Sequence, residues 1–185
     1  MTIHDWQRLG DEILVRYKVF SVRKSRRRSP RTGADIGFFL IDTPDWVNVL
    51  ALTHDEQLIL IRQFRHGTEK VSLEIPGGLI DPHETDPLQA ARRELREETG
   101  YDCEHIELLG VMSPNPSMMT NRCHSYLATG CRRIGELAMD PGEDIEVATM
   151  PLAELDGLLQ RGEIDHAIVL ATIAFWRARG SRTGR

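Results

Sequence analysis

The chain has 185 residues, of which 41% are hydrophobic and 28% charged, and its formal net charge is −5 at pH 7. This length and composition are typical of a soluble globular domain with a sizeable apolar core. No apolar run reaches the roughly 18 residues that a membrane-spanning helix needs. The negative net charge also disfavours nucleic acid as a partner.

The N-terminus and the cysteines indicate a cellular compartment. The first residues lack the apolar segment and small-residue cleavage site of a secretory signal. Cys103, Cys123 and Cys131 are odd in number and do not have the spacing of a metal site. We therefore expect reduced thiols, without a role as nucleophiles, in a cytoplasmic protein.

Hydrophobic periodicity predicts strands in both halves of the chain and one helix between them. The predicted strands are 12–23, 36–41, 46–52, 58–65, 71–75, 106–111, 124–129 and 145–150. The predicted helices are 87–99, 152–160 and 166–178. Strands on both sides of a central helix, with helices at the end, predict an α/β sandwich around a mixed sheet.

One segment departs from the acidic average. The run from Arg23 to Arg28 contains five basic residues, and Arg31 follows it. We interpret it first as a solvated hairpin tip or loop. A contribution to a polyphosphate site or a dimer contact is the second interpretation. Nucleic-acid binding is the third, because no aromatic residues for base stacking are interleaved.

The helix over 87–99 has defined ends and an apolar face. Asp86 is suited to the N-cap, with Pro87 at the first helical position, and Gly100 is suited to a left-handed C-terminal cap. The spacing of the apolar residues predicts that one face packs against a core. That face consists of Leu88, Ala91, Leu95 and Thr99.

Three acids project from one side of this helix. Glu94, Glu97 and Glu98 share a face because residues three and four apart are neighbours on a helix. Like charges at this spacing repel each other, so a compensating positive group is expected. Oxygen ligands without His or Cys favour Mg²⁺, or Mn²⁺, over zinc. A solvated charged face is the alternative for any single glutamate.

The stretch GGLIDPHETDPLQAARRELREETGY, residues 77–101, resembles the Nudix box of the Nudix hydrolases, GX5EX7REUXEEXGU with U aliphatic or aromatic. There is one departure, since eight residues instead of seven separate Glu84 from Arg93. The extra residue precedes the helix, where a loop can absorb it, but it leaves the role of Glu84 open. The matching residues are Gly78, Glu84, Arg93, Glu94, Leu95, Glu97, Glu98, Gly100 and Tyr101.

The resemblance covers roughly residues 35–180 and is greatest to the ADP-ribose pyrophosphatase branch, in which a proline sixteen residues after the last glycine of the box, here Pro116, is typical. It implies a Nudix-type α/β/α sandwich around a mixed β-sheet, with an N-terminal antiparallel β-sheet extension. It also implies two regions. Residues 1–45 would be an extension that lies over the partner's site in a homodimer, and residues 46–180 the hydrolase domain.

The resemblance further implies roles for individual residues. Arg93 orients a glutamate of the loop, and the general base is Glu143, with Glu97 and Asp140 as alternatives. The implied metal ligands are the carbonyl of Gly77 and the side chains of Glu94, Glu97 and Glu98. The implied substrate contacts are Trp46, Arg62, Arg65, Leu79 and Pro116, and a place in the core is the alternative for Trp46.

These features predict a Mg²⁺-dependent hydrolase that cuts ADP-ribose, or a related nucleoside diphosphate sugar, to AMP and ribose 5-phosphate. One alternative is the same chemistry on GDP-mannose or on a dinucleoside polyphosphate. Another is a catalytically silent nucleotide-binding sensor, because fold does not fix function. The complete set of three glutamates argues against a sensor, which would not need them all.

Overall fold

The structure is a computed structural model that describes residues 3–139, 142 and 144–180. The chain forms two compact units. The first consists of Met1–Pro44 and Ser113–Arg122, and the second of Asp45–Met112 and Cys123–Arg185. Within the described ranges, no helix is both long enough and apolar enough to cross a membrane.

The first unit contains a three-stranded antiparallel sheet in the order β1-β2-β3. Its strands are β1 (Gln7–Arg16), β2 (Ser21–Arg28) and β3 (Asp35–Asp42). The predicted strand over 12–23 merges the end of β1 with the start of β2. The chain turns between them, where the Tyr17 N–H donates to the Phe20 carbonyl at 2.8 Å. Apolar alternation continues through this turn and hides it in the sequence.

The basic segment is the central strand β2, so its prediction as a hairpin tip or loop is wrong. Arg23 forms ion pairs with Asp11 of β1 at 2.5 Å and with Asp42 of β3 at 2.7 Å. Arg28 pairs with Asp35 of β3 at 2.7 Å. Opposite charges on neighbouring strands favour their pairing. Acids that are distant in sequence therefore allow a basic run to form a strand.

The second unit is the α/β/α sandwich that the sequence predicts, with helices on both faces of an eight-stranded mixed sheet. The strands are β4 (Trp46–Thr53), β5 (Gln57–Arg65), β6 (Lys70–Glu74), β7 (Gly77–Leu79), β8 (Tyr101–Asp102), β9 (His105–Met112), β10 (Cys123–Arg133) and β11 (Ile145–Pro151). The helices are α1 (Pro87–Thr99), α2 (Leu155–Gln160) and α3 (Ala167–Gly180), and a 3₁₀ turn over Leu152–Glu154 precedes α2. Sequence analysis misses the short β7 and β8, because a Gly-Gly pair and a two-residue strand have no pattern of their own.

The arrangement of β4 and β5 leaves room for the Gly-Gly segment. The sheet order is β11-β5-β4-β10-β8, and β4 runs parallel to β10. β4 and β5 pair directly only where Ala51 and Leu52 face Ile59 and Leu58. Farther along, β7 pairs with β4 and β6 pairs with β5. The segment that carries Gly77 therefore lies against β4.

Each face of the sheet has its own apolar core, because alternate residues of a strand point to opposite faces. The core on the α1 face includes Val47, Val49, Ala51, Ala90, Ala91 and Leu95. The core on the other face, beneath α2 and α3, includes Leu50, Leu58, Leu60, Leu158 and Ile173. The predicted apolar face of α1 is thus packed against the sheet.

The ends of α1 are those that the sequence predicts. The Asp86 side chain accepts a hydrogen bond from the Leu88 N–H at 2.9 Å, and Pro87 is the first helical residue. Gly100 has a left-handed backbone with φ of 73°, and its N–H donates to the Arg96 carbonyl at 2.8 Å. A Cβ atom at Gly100 would lie 2.4 Å from the Gly135 carbonyl oxygen. The cap therefore requires glycine for both its conformation and its surroundings.

Gly100→Ala should lower the free energy of unfolding by more than about 1 kcal/mol, because a left-handed alanine is strained and its Cβ also meets backbone. The matched control is Gly67→Ala, where a Cβ meets no atom within 4 Å. Urea denaturation of both variants and the wild type measures the difference. Equal midpoints for the two variants would contradict the proposed importance of the cap.

Candidate active site

Arg93 lies at the centre of a polar network at the surface of α1. Its guanidinium donates to both carboxylate oxygens of Glu84, each at 3.0 Å. It also donates to Glu94 at 2.9 Å and to Glu97 at 2.8 Å. A further hydrogen bond at 3.0 Å reaches the Leu79 carbonyl. Arg93 is thus the positive group that offsets the repulsion on α1, and it ties the helix to β7.

The extra residue in the box does not separate Glu84 from Arg93. The loop before α1 folds back on itself, since the Glu84 N–H donates to the Asp81 carbonyl at 2.9 Å and the Asp81 N–H donates to the Glu84 carboxylate at 3.0 Å. The hydrogen bond from Arg93 lowers the pKa of Glu84, and the same bond raises the pKa of Arg93. The structure therefore identifies Glu84 as the bidentate partner of Arg93.

Glu94 and Glu98 are buried carboxylates that lie against the two glycines of β7. Glu94 is 8% exposed and Glu98 is 2% exposed. The Gly77 N–H donates to Glu98 Oε2 at 2.7 Å. A Cβ atom at Gly78 would lie 2.5 Å from Glu94 Oε1. Glycine at both positions lets the backbone approach the carboxylates closely. In contrast to these two buried acids, the side chain of Glu97 is 41% exposed.

The chemistry of this group fits a hard divalent cation. The buried oxygens here are the carboxylates of Glu94 and Glu98, the carbonyl of Gly77 would be a third ligand, and none of these ligands is nitrogen or sulfur. Across residues 3–139, 142 and 144–180, no three His, Cys, Asp or Glu side chains are arranged to hold a metal ion. Mg²⁺ does not need such a cage, because it commonly binds through one or two carboxylates together with water and substrate phosphates.

A third buried carboxylate, which sequence analysis missed, holds one of the predicted substrate contacts. Glu74 is 2% exposed and accepts two hydrogen bonds from Arg65, each at 2.8 Å. His166 Nδ1 donates to the same carboxylate at 2.7 Å. Burial by itself raises the pKa of Glu74, but the bonds from Arg65 and His166 outweigh it and lower the pKa to about 2. The sequence carries no signal for this burial, because Ser72 and Glu74 alternate with Val71 and Leu73 as in a half-exposed strand.

Two other predicted substrate contacts are neighbours. Trp46 is the register partner of Leu79 across β4 and β7. The indole Nε1 of Trp46 is buried and has no hydrogen-bond partner in the part of the chain that the structure describes.

Arg62 is three residues from Arg65 in β5, so the two side chains leave opposite faces of the strand.

Arg62, Pro116 and Glu143 are the remaining residues with a predicted role. Arg62 pairs with Glu146 of β11 at 3.2 Å, where both side chains are largely exposed. Pro116 belongs to the first unit. Glu143 and its alternative Asp140 lie outside the described residues. The roles predicted for these residues in substrate binding and in catalysis stay predictions.

The three cysteines are free thiols, as the sequence predicts, and the structure buries all three. Burial raises the pKa of Cys103, and it raises the pKa of Cys123 and of Cys131 to about 12. A thiol with a raised pKa carries little thiolate at neutral pH, and the thiolate is the nucleophile. This agrees with the expectation that none of the three takes part in catalysis.

Comparison with known proteins identifies the family. The sequence profile of the NUDIX domain matches residues 44–173, so the chain belongs to the Nudix family and is a Nudix hydrolase. It is 28% identical over 174 residues to the ADP-ribose pyrophosphatase of Mycobacterium tuberculosis, covering 94% of this chain and 84% of that protein. It is 30% identical over 126 residues to the ADP-ribose pyrophosphatase of Bacillus subtilis, covering 68% of each.

A solved structure supports the same assignment. The crystal structure of an ADP compounds hydrolase superposes on this chain with a TM-score of 0.85 at 26% sequence identity. The superposition covers 100% of this chain and 99% of that one. The α/β/α sandwich described above is therefore the Nudix fold.

Glu74→Gln should change the acid stability of the protein in a defined pH range. Because the pKa of Glu74 falls from the ordinary 4.5 to about 2 on folding, the charged carboxylate stabilises the protein fully above pH 4.5. That contribution, about 3 kcal/mol, is lost as the pH falls from 4.5 towards 2. The variant should be less stable than the wild type at pH 7, and the difference should shrink over this range.

Urea denaturation at pH 7, 5, 4 and 3 measures the effect, and Glu146→Gln is the matched control. Glu146 also pairs with an arginine of β5, but its side chain is 71% exposed. An exposed pair contributes little to stability, so this control should follow the wild type at every pH. If the free energies of unfolding of Glu74→Gln and the wild type differ by the same amount from pH 7 to pH 3, folding does not lower the pKa of Glu74 as stated.

Proposed function

We propose that this Nudix hydrolase cuts the diphosphate bond of ADP-ribose, or of a related nucleoside diphosphate sugar, and releases AMP and ribose 5-phosphate from ADP-ribose. The observation that carries the proposal is the pair of buried carboxylates, Glu94 and Glu98, held against β7. The names of the relatives, two ADP-ribose pyrophosphatases and an ADP compounds hydrolase, support the substrate class.

Some residues of the site would bind the cation, and Arg93 orients the carboxylates. Glu94, Glu98 and the carbonyl of Gly77 would hold Mg²⁺, or Mn²⁺, and Glu97 lies close enough to share Arg93 with Glu94. A divalent cation at this place supplies positive charge to the bridging oxygens and lowers the pKa of a bound water. Arg93 keeps Glu94 and Glu97 in place, and the buried position of Glu98 keeps water from competing for its oxygens.

Substrate recognition is proposed for Trp46, Leu79, Arg65, Arg62 and Pro116. Trp46 and Leu79 are register partners across β4 and β7, so an adenine ring that stacks on the Trp46 indole would lie beside Leu79. Arg65 shares its guanidinium with Glu74, which fixes its orientation before a phosphate binds. Activation of water is proposed for Glu143 or Glu97.

Purified protein with Mg²⁺ should release AMP from ADP-ribose, and Glu98→Gln should lower kcat at least about 100-fold. The glutamine keeps an oxygen that can accept from the Gly77 N–H, but it removes the charge that binds the cation, which is worth several kcal/mol in the transition state. The matched control is Glu136→Gln, whose side chain is 91% exposed. It should retain wild-type kcat.

A panel of ADP-ribose, GDP-mannose and a dinucleoside polyphosphate, assayed side by side for products, separates the candidate substrates. If the enzyme prefers GDP-mannose or the polyphosphate, the proposed hydrolysis of a diphosphate bond stands, but ADP-ribose is not the preferred substrate. Tight binding of a nucleotide without turnover of any compound would support the sensor and overturn the proposal.

We also propose a homodimer formed through the first unit. Its sheet exposes apolar side chains, among them Phe39 at 61% and Ile13 at 47%. Contiguous exposed apolar surface is typical of sites of protein association. Light scattering coupled to size-exclusion chromatography gives the mass, and a monomeric mass at micromolar concentration would contradict this proposal.

A further inference from the structure

Three polar side chains meet in the otherwise aliphatic core between the sheet and α3. Thr172 Oγ1 lies 2.7 Å from Ser125 Oγ and 3.0 Å from Asn48 Oδ1. Ser125 and Thr172 are fully buried, and Asn48 is 5% exposed. The Thr172 hydroxyl also lies 3.0 Å from the Ile168 carbonyl within α3. The three side chains, called here the polar cluster, therefore link β4, β10 and α3.

The polar cluster is costly for stability. The Asn48 Nδ2 group is buried and has no hydrogen-bond partner in the described ranges of the chain. Leaving a buried donor unpaired costs about 1–3 kcal/mol. Aliphatic side chains such as those of Leu50 and Val169 fill the rest of this core. If stability were the only constraint, aliphatic side chains would be favoured at positions 48, 125 and 172 as well. The polar residues there point to another role for the cluster.

The polar cluster belongs to a row of register partners that ends at Gly77. Asn48 of β4 pairs with Ser125 of β10 on one side and with Gly77 of β7 on the other. β7 is pressed closely against β4 here. A Cβ atom at Gly77 would lie 2.3 Å from the Val47 carbonyl oxygen and 2.7 Å from the Asn48 Cα. Any displacement of Asn48 is therefore transmitted to Gly77.

Gly77 connects this row to the opposite face of the sheet. Its N–H donates to Glu98 Oε2 at 2.7 Å, and Glu98 belongs to α1. Val49 reinforces the connection, because its N–H donates to the Pro76 carbonyl at 2.8 Å. The backbone position of Asn48 thus determines where Gly77 lies, and Gly77 determines where the carboxylate of Glu98 is held.

We propose that Asn48, Ser125 and Thr172 are positioning residues for the divalent-cation site on the other side of the sheet. Thr172 holds the Asn48 side chain from α3, and Ser125 holds the Thr172 hydroxyl from β10. Asn48 in turn fixes the separation between the Gly77 carbonyl and the Glu98 carboxylate. The inference rests on the proposed function for the nature of the ligand, a divalent cation, but it requires no particular nucleotide.

Thr172→Val tests the inference, because it keeps the side-chain shape and removes the hydroxyl. Titration calorimetry with Mn²⁺ and the substrate-free protein should show binding about 10-fold weaker, the usual effect of losing a group that orients a metal ligand. Half-maximal hydrolysis of ADP-ribose should likewise need about 10-fold more Mg²⁺, with KM for ADP-ribose at saturating Mg²⁺ unchanged. Thr172→Ser retains the hydroxyl and should restore Mn²⁺ binding.

Thr129→Val makes the same substitution in β10, outside the polar cluster, and should bind Mn²⁺ as the wild type does. Ser125→Ala is the second variant, and it decides the question should Thr172→Val fail to fold. Wild-type Mn²⁺ affinity in the folded cluster variants, with only their melting temperatures lowered, overturns the inference, as does a wild-type protein that binds no Mn²⁺. A wild type that binds Mn²⁺ without cutting ADP-ribose contradicts the proposed substrate alone, since the Mn²⁺ titrations still test the cluster.

Discussion

The hydrogen bonds of the Arg93 guanidinium hold three carboxylates at the surface of α1, and the rest of the site depends on them. Glu84, Glu94 and Glu97 would repel one another if they were brought together without a cation. Arginine can serve all three and still reach the Leu79 carbonyl, because its planar group carries five donors in fixed directions. A lysine could not replace it, because its compact ammonium group cannot donate to several carboxylates in the fixed directions of a planar guanidinium. The hydrogen bonds of Arg93 therefore tie the loop before α1, the helix and β7 together.

The two faces of the sheet serve this arrangement in different ways. On one face, α1 is anchored by apolar packing and by its caps, so that its charged side has a fixed direction. On the other face, α3 packs on β4, the strand with which Gly77 pairs. Between the faces, β4 and β5 diverge and leave space for a glycine strand. The backbone of that strand, β7, contributes to the site directly, because the Gly77 N–H donates a hydrogen bond to the buried carboxylate of Glu98.

The parts of the structure that sequence could predict are those with local causes. Asp86, Pro87 and Gly100 define α1 by residue type alone, and the spacing of Leu95 and Ala91 identifies the packed face. Features with distant causes were missed or misjudged. Arg23 lies in a strand because Asp42, 19 residues away, neutralises it. Glu74 is held by His166, 92 residues along the chain. The extra residue before α1 obscured Glu84, because a count of residues does not reveal how a loop folds back.

β4 and β10 are parallel neighbours in the sheet, yet α1 is synthesised between them. At about 5–20 residues per second, the ribosome completes α1 roughly two to seven seconds before it completes β10. During that interval Ala91 and Leu95 lack Tyr126 and Ala128, with which they later share a core. Long-range pairing of this kind forms slowly and leaves apolar surface open to aggregation. The nascent chain thus exposes this apolar surface at the stage when α1 has been made but the strand that shares its core has not.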